Sequence, residues 1–285
     1  NFINKYKDDI KSGKDILVFL TSMSELNKAC LLLKNRLGER VVIIPNKNAT
    51  KEYEIGCFPL SATIKGEIQK NVKDTSHKEL GIKRKVIFST NVAEASVTIN
   101  SLLYVIDSGR EQASDYDYIN NEKTLKQKFI SRAQILQRLG RVGRNQPGVV
   151  YMLYTPEEYD NMDSFKKAAI ETQDFSDRIL SKLASGESKN FDSCCSQYDD
   201  YISPPNKLGL YNSCKLLIDM GCLNRHGEIT QIGKYMDKIT AGIELKKVLL
   251  YSFAFDCVEQ IAIIISMIQT STKVDKFIEL DPKDE

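Results

Sequence analysis

Histidine is scarce in this chain of 285 residues, which carries only His77 and His226. With only two imidazole groups, the sequence gives little support for a histidine metal centre or a histidine general base. We expect both histidines to be incidental surface or turn residues, and the sequence predicts no metal ligand.

Cysteine is more frequent, but its spacing is uninformative. The chain has seven cysteines and no CxxC pair, and the only close pair is Cys194-Cys195. Such spacing indicates neither a disulfide framework nor a zinc site. We therefore expect an intracellular protein, cytoplasmic or nuclear, from a reducing compartment.

Long apolar runs and a targeting segment are also missing. The most apolar tract, residues 261–268, is far shorter than the ~20 residues that span a bilayer, so it is expected to be a buried helix and no membrane is expected as a partner. The N-terminus lacks a starting methionine and the apolar core of a signal peptide. We expect a chain cut from a longer protein.

The charges nearly balance, with 40 basic and 38 acidic residues and a net charge of +2. No polybasic tail marks a nucleic-acid partner, so any such site must be a local groove. The hydrophobic share of 42% and the charged share of 27% are typical of a globular protein, here long enough for two domains.

What is present first is an alternation of strands and helices. Continuous apolar runs predict strands at residues 15–20, 41–45, 85–89, 102–107 and 149–154. Ser22 and Glu25 have the spacing of a capping box before one helix, and a second helix is predicted at 64–72 after an irregular connection. This order predicts an α/β fold with a doubly wound parallel sheet, whose ligands lie off the carboxyl ends of the strands. Thr21, Thr90 and the segment after Asp107 follow such ends.

Residues 112–130 interrupt the alternation and predict a β-hairpin, with Asn120-Asn121 as its turn. Beyond Thr155 the chain changes to helices and polar turns. Helices are predicted at 207–220 and from 231 to 236, with a small hairpin at 222–230 between them.

The segment 137–144, QRLGRVGR, is the most informative in the chain. If it is helical, Gln137, Arg141 and Arg144 fall at i, i+4 and i+7 and share one face. Gly140 and Gly143 would let another surface approach the backbone beside that face. Guanidinium groups suit bidentate contacts with phosphate oxygens. The pattern therefore predicts a phosphate-binding face.

This QxxGRxGR segment resembles motif VI of the superfamily 2 helicases, and residues 88–99, FSTNVAEASVTI, are similar to motif V of their DEAH-box group. Residues 141–145 are also similar to viral RNA helicases, so a viral or divergent member fits. The resemblance implies a second RecA-like domain at 1–160, connecting helices and a winged-helix domain at 161–240, and the start of a helical bundle at 241–285. It also implies that the hairpin projects toward the duplex and takes part in strand separation.

The resemblance implies a role for each motif residue. It gives catalytic roles, with the two arginines as fingers on the γ-phosphate, to Gln137, Arg141 and Arg144. It gives nucleotide binding or sensing to Ser96, Asn100 and Gly140. It gives contacts with RNA to Thr21, Ser22, Thr90, Asn91 and Thr98. For Thr21 and Ser22, capping of the following helix remains the alternative, and Asn91 and Glu94 could serve only to hold their loop.

The chain contains no G-x-x-x-x-G-K-[ST] phosphate loop and no internal DExH segment. By resemblance, ATP and Mg²⁺ would be bound mainly by a first RecA-like domain outside this chain. The implied function is that of the C-terminal part of an ATP-dependent RNA helicase, inactive as an isolated fragment. Its partners would be RNA, that first domain and a protein activator. A catalytically inactive RNA-binding or regulatory module and a related DNA helicase remain alternatives.

Overall fold

The computed structural model describes residues 14–45, 52–62, 66–73, 76–94, 97–117, 122–143, 147–171 and 173–270. The chain divides into two compact units. One comprises residues 1–114 and 125–166, and the other comprises residues 115–124 and 167–285. Each unit is described by itself.

A parallel sheet of six strands forms the first unit. Its strands are β1 Asp15–Phe19, β2 Val41–Ile43, β3 Tyr53–Leu60, β4 Ile82–Ser89, β5 Leu102–Asp107 and β8 Val149–Met152, in the order β2-β3-β4-β1-β5-β8. Every adjacent pair is parallel. The helices of this unit are α1 Met23–Leu37, α2 Glu67–Lys73, α3 Arg132–Leu139 and α4 Pro156–Asp160.

Alternation along the strands supplies two cores, one on each face of the sheet. Leu17 and Phe19 of β1 belong to one buried cluster together with Val72 of α2. Ile16 and Val18 belong to the opposite cluster. Because both faces are covered, the predicted doubly wound α/β fold is confirmed.

Strand β3 corrects the prediction of an irregular connection before α2. Gly56 and Pro59 break its apolar pattern, and proline cannot donate to a β-ladder. The structure accommodates Pro59 because β2 pairs with β3 only as far as Cys57. The Cys57 carbonyl accepts from the Ile44 N–H at 2.9 Å, so Pro59, two residues on, faces the same side beyond the end of β2.

One disulfide corrects the interpretation of the cysteines. Cys30 of α1 and Cys57 of β3 form a disulfide with a sequence separation of 27. Both are buried, and the remaining cysteines of the described residues are free. Sequence spacing could not find this pair because the fold brings the two elements together. The reducing compartment stays a prediction.

Buried polar groups tie the amino ends of the strands. The Asp15 carboxylate accepts from the Lys85 N–H at 2.8 Å and from the Ser101 hydroxyl, and lies 2.7 Å from His77 Nε2. Lys85 Nζ donates to the Val72 carbonyl at 3.0 Å at the end of α2. His77 lies in a turn, as expected, but it is not incidental, whereas His226 is an exposed turn residue.

Two further strands, β6 Arg110–Asp117 and β7 Glu122–Phe129, lie between β5 and α3 in the chain and form a separate two-stranded sheet. This pair, called the β6–β7 hairpin below, overlaps the segment 112–130 in which the sequence predicts a hairpin. The Asn120-Asn121 turn lies outside the described residues.

The helical region contains α5 Ser176–Ala184, α6 Phe191–Asp199, α7 Lys207–Asp219, α8 Gln231–Asp237, α9 Ile243–Ala254 and α10 Val258–Thr270. A Leu223–Ile229 bridge forms the predicted small hairpin between α7 and α8. Phe175, Leu217 and Met236 belong to the buried core of this helical region. The winged-helix domain expected at 161–240 stays a prediction.

The apolar tract 261–268 is helical but not buried, contrary to the prediction. Within α10 only Ile265 is buried, and Ile263 and Ile264 are about half exposed. Hydrophobicity alone therefore predicted the secondary structure but not the burial. Among the described residues, no helix combines the length and apolarity required to cross a membrane.

Candidate functional site

The three motif-bearing segments meet at the carboxyl edge of the sheet. Phe19, the last residue of β1, is in register with Ser89 at the end of β4 and with Asp107 at the end of β5. Thr90 directly follows β4, and Thr21 follows β1 after Leu20. The parallel strands therefore bring these segments to one edge of the sheet, as the strand order predicts.

Thr21 and Ser22 are both engaged at the start of α1. Ser22 is the N-cap, and its hydroxyl accepts from the Glu25 N–H at 3.4 Å. The Glu25 carboxylate turns back to Thr21 and accepts from its N–H at 3.0 Å and from its hydroxyl at 2.7 Å. The capping function predicted as an alternative is thus present for Ser22, and Thr21 orients Glu25.

The motif V segment leaves β4 through a short 3₁₀ turn, Asn91–Glu94. Thr90 is half-buried, and its N–H donates to the Leu60 carbonyl at 3.1 Å. Asn91, Thr98 and Asn100 are exposed, whereas Glu94 is buried. Ser96 lies outside the described residues.

Helix α3 begins with a capping box and ends earlier than the motif VI pattern suggested. The Ser131 hydroxyl accepts from the Gln134 N–H at 3.3 Å, and the Gln134 side chain accepts from the Ser131 N–H at 3.1 Å. The last helical residue is Leu139, and Gly140 is the C-cap. Gly143 then adopts a left-handed conformation with φ 78°. The proposed helical face through Gln137, Arg141 and Arg144 is therefore wrong as geometry, because the helix stops before Arg141.

Arg141 lies instead between the end of α3 and the motif V segment. Its Nε donates to the Gln137 carbonyl and its Nη1 to the Val97 carbonyl, both at 3.4 Å. Arg141 is half-buried and the Gln137 side chain is exposed. Two motif VI residues are thus adjacent at the surface beside motif V. Arg144 lies outside the described residues.

The central charged residue of the site is Arg138, which the sequence argument did not assign. Its side chain is fully buried. Nε and Nη2 contact Glu94 Oε1 at 2.8 Å and 2.7 Å, and Nη1 contacts Asp107 Oδ1 at 2.7 Å. The guanidinium also lies 4.5 Å from the centre of the Phe19 ring. One arginine therefore links the ends of β1 and β5 and the motif V turn.

Further polar groups extend this buried network. Gln134 Nε2 donates to Glu111 Oε2 at 3.0 Å, and Lys166 Nζ lies 3.1 Å from Glu111 Oε1. The Tyr154 hydroxyl donates to Asp107 Oδ2 at 3.3 Å. Burial, followed by the Asp107 charge, raises the pKa of Tyr154, so its hydroxyl stays a proton donor.

A sequence signal for this network did exist. Gln134 and Arg138 are four residues apart, so they share one face of the helix, and Ile135 is buried beside them. The Ser131-x-x-Gln134 pattern also predicts where α3 begins. A polar pair at helical spacing beside a buried apolar residue predicts buried polar side chains, which need hydrogen-bond partners from other segments.

The turn beneath the network requires glycine. Gly109 has φ 68°, and a Cβ added there would lie 2.5 Å from Tyr154 Cδ1. Its N–H donates to Asp107 Oδ1 at 2.9 Å.

Within the described residues, no group of three or more His, Cys, Asp or Glu side chains could hold a metal ion.

Comparisons with known proteins identify related chains. The family model of the helicase conserved C-terminal domain matches residues 2–146. The DExH-box ATP-dependent RNA helicase DExH6 of Arabidopsis thaliana is 30% identical over 247 residues, covering 86% of this chain and 18% of that protein. The pre-mRNA-splicing factor ATP-dependent RNA helicase prp22 of Schizosaccharomyces pombe is 32% identical over 257 residues, covering 89% and 20%.

A solved structure shares the fold. The crystal structure of the E. coli DExH-box NTPase HrpB has a TM-score of 0.75 and 22% identity, with 95% of this chain and 31% of that chain covered. The chain spans about a fifth of the length of DExH6 and prp22 and about a third of HrpB.

Proposed function

This chain belongs to the helicase conserved C-terminal domain family, as part of a DEAH-box helicase, and we propose that it supplies the second RecA-like half of an ATP-dependent RNA helicase. The observation that supports this most directly is that the segment with Thr21 and Ser22 lies at the same sheet edge as motifs V and VI, with Gln137 and Arg141 together at the surface. We place the second RecA-like domain at 1–160, the winged-helix region at 161–240 and the start of a helical bundle at 241–285.

For catalysis, we assign the γ-phosphate contacts to Arg141 and Arg144 and the positioning of phosphate or attacking water to Gln137. Transfer of a phosphoryl group to water depends on positioning and on neutralisation of charge, so an arginine finger can contribute about 10³-fold or more. Mg²⁺, when bound with ATP, would neutralise phosphate charge from the first RecA-like domain. Ser96, Asn100 and Gly140 would bind or sense the nucleotide from this side of the cleft.

For the nucleic acid, we assign backbone contacts to residues at the same edge: Thr21, Ser22, Thr90, Asn91 and Thr98. Thr98 and Asn91 are exposed, and Thr90 is half-buried at a strand end. Short hydroxyls at such ends suit phosphate oxygens. The Thr21 hydroxyl would have to leave the Glu25 carboxylate before it could donate to RNA.

Two other functions compete with this proposal. A catalytically inactive RNA-binding or regulatory module would keep the fold without turnover. A related DNA helicase would use the same backbone contacts, since these carry no base information. A protein activator and an intracellular location are further parts of the proposal.

The deciding experiment compares the full-length protein with this 285-residue chain in ATP hydrolysis, with and without single-stranded RNA. We expect RNA-stimulated turnover by the full-length protein and no turnover above a buffer control by the chain. DNA of the same sequence provides the matched control for substrate class. Turnover by the isolated chain would contradict the proposed division of labour, and RNA binding without turnover in the full-length protein would favour the inactive module.

A further inference from the structure

We propose that Arg138 and Gln134 are positioning residues that hold the base of the β6–β7 hairpin, at Arg110, Glu111 and Phe129, onto the motif VI helix, so that Arg141 and the base of the hairpin move as one body. The proposal rests on the proposed helicase function. It adds a mechanical link between nucleotide hydrolysis and strand separation, made by side chains that contact neither ATP nor RNA.

The first strand of the hairpin is held by side chains of α3. Arg138 Nη1 and Nη2 each lie 3.4 Å from the carbonyl of Arg110, the first residue of β6. Gln134 Nε2 donates to the carboxylate of Glu111, the second residue. Two polar residues of α3, one helical turn apart, therefore contact two successive residues of β6.

The second strand of the hairpin is held by the chain itself. β7 ends at Phe129 and α3 begins at Arg132, so only Ile130 and the N-cap Ser131 separate them. The Ile130 N–H donates to the Gly109 carbonyl at 3.0 Å. The Arg110 guanidinium also lies 4.3 Å from the Phe129 ring centre, which ties the two strands together at their base. Both strands are therefore fixed to the same helix.

Burial makes this attachment stiff. Arg138 and Glu111 are almost inaccessible to water. Buried ion pairs contribute little net stability, because desolvation offsets their attraction, but removal of one partner leaves a buried charge without compensation. A buried polar network of this kind is rigid, so we expect Arg110 and Glu111 to move with α3 when that helix is displaced.

Helix α3 is also the element that leads into the fingers. Arg141 lies two residues beyond its end, and its guanidinium contacts the carbonyls of Gln137 and Val97. Binding and loss of a γ-phosphate at Arg141 would therefore act on the end of α3. The opposite end and the inward face of the same helix hold the hairpin.

The test uses full-length protein with Glu111→Gln, which keeps the side-chain size but places an amide donor among the donors of Gln134 and Lys166. Lys166→Gln removes the half-exposed partner of the same carboxylate and is less disruptive to folding. Lys167→Gln, at the exposed neighbouring position, is the matched control. For each variant, duplex unwinding, RNA-stimulated ATP turnover and hydrogen exchange of the strands 110–117 and 122–129 are measured.

For Glu111→Gln we expect ATP turnover within about threefold of wild type and unwinding per ATP hydrolysed lowered at least about tenfold, because only the coupling is impaired. Lys166→Gln should shift both readouts in the same direction by less, and Lys167→Gln should leave them unchanged. Exchange should rise in the hairpin strands and not in the parallel sheet.

Three results would overturn the proposal. One is normal unwinding per ATP in a folded Glu111→Gln protein, and another is a proportional loss of turnover and unwinding. If Glu111→Gln fails to fold, the third is hydrogen exchange in the hairpin strands of Lys166→Gln that stays at the wild-type rate. Hydrogen exchange needs neither ATP nor RNA, so it tests the attachment even if wild-type protein shows no helicase activity.

Discussion

The two ends of the parallel sheet bury charge in different ways. At the amino end, Asp15 is satisfied by a backbone N–H and the Ser101 hydroxyl, and it also faces half-buried His77. At the carboxyl end, Arg138 joins carboxylates from two other segments. The buried charge at the amino end connects neighbouring strands, whereas the buried charge at the carboxyl end connects the segments to which we assign contacts with nucleotide and RNA.

This difference teaches that burial of charge alone does not identify a functional site. The Asp15 carboxylate joins β1 to β4, to Ser101 just before β5 and to the His77 turn. The Arg138 side chain contacts the motif V turn, the end of β5 and the hairpin base. The two ends differ in which segments the buried charge links, because the Arg138 group, unlike the Asp15 group, joins motif V to the motif VI helix.

The largest expected effect is on stability at the carboxyl end. Arg138→Met should lower the free energy of unfolding of the chain by about 3–5 kcal/mol, because Glu94 and Asp107 would both remain buried without their partner. Urea denaturation provides the measurement, and Arg132→Met at the exposed start of the same helix is the control. A loss below about 1 kcal/mol would show that the two carboxylates find other partners or water.

The second effect is catalytic. In full-length protein, Arg141→Ala and Arg144→Ala should each lower ATPase kcat by ~10²-fold or more, with a smaller change in RNA affinity, because the lost contact acts mainly on transition-state charge. Steady-state hydrolysis and RNA binding are measured side by side. Wild-type turnover in both variants would remove the finger role and leave the carboxyl end without its proposed chemistry.

A smaller effect is expected at the amino end. Asp15→Asn should cost about 1–2 kcal/mol of unfolding free energy, since an amide group would face the donors that now meet the carboxylate. ATP turnover per folded molecule should not change. The comparison between the two ends fails if Asp15→Asn lowers kcat as Arg141→Ala does while its stability stays near wild type.

The smallest effect concerns Thr90. Thr90→Val keeps the β-branched shape and removes the hydroxyl, so single-stranded RNA binding should weaken by under about 1.5 kcal/mol, equally for all sequences. The salt dependence should hardly change, because a neutral hydroxyl releases no counterion. Normal RNA binding with a much lower melting temperature would instead make Thr90 a structural residue of the strand end.

Much of the sheet was predictable because its strands are continuous apolar runs between turn signals. β1, β4 and β5 follow this rule, and their shared direction predicted where Thr21 and Thr90 would meet. Strand β3 was not predicted because Gly56 and Pro59 interrupt its apolar run. The strand accommodates Pro59 only because its pairing with β2 ends before that residue. That information is in the tertiary structure and not in the segment itself.

The site was predictable in position and less so in detail. Periodicity extended the motif VI helix through Arg141, but Gly140 ends it and Gly143 turns the chain. Arg138 was not predicted as a site residue because a charged residue is usually exposed. Its burial depends on Glu94 and Asp107, which come from other segments, and a single sequence gives no distance between them.

The hairpin strands have a consequence for the size of the motions involved. Five residues of each strand, 110–114 and 125–129, lie in the first unit, so at roughly 3.3 Å per residue these segments extend about 16 Å from their anchored base. A tilt of about 12° at that base would displace the far ends of the two segments by roughly 3.4 Å, close to the ~3.4 Å spacing of successive nucleotides in one strand of a duplex. Through the proposed attachment, a small rotation of α3 would therefore move these strand segments by about the length of one nucleotide.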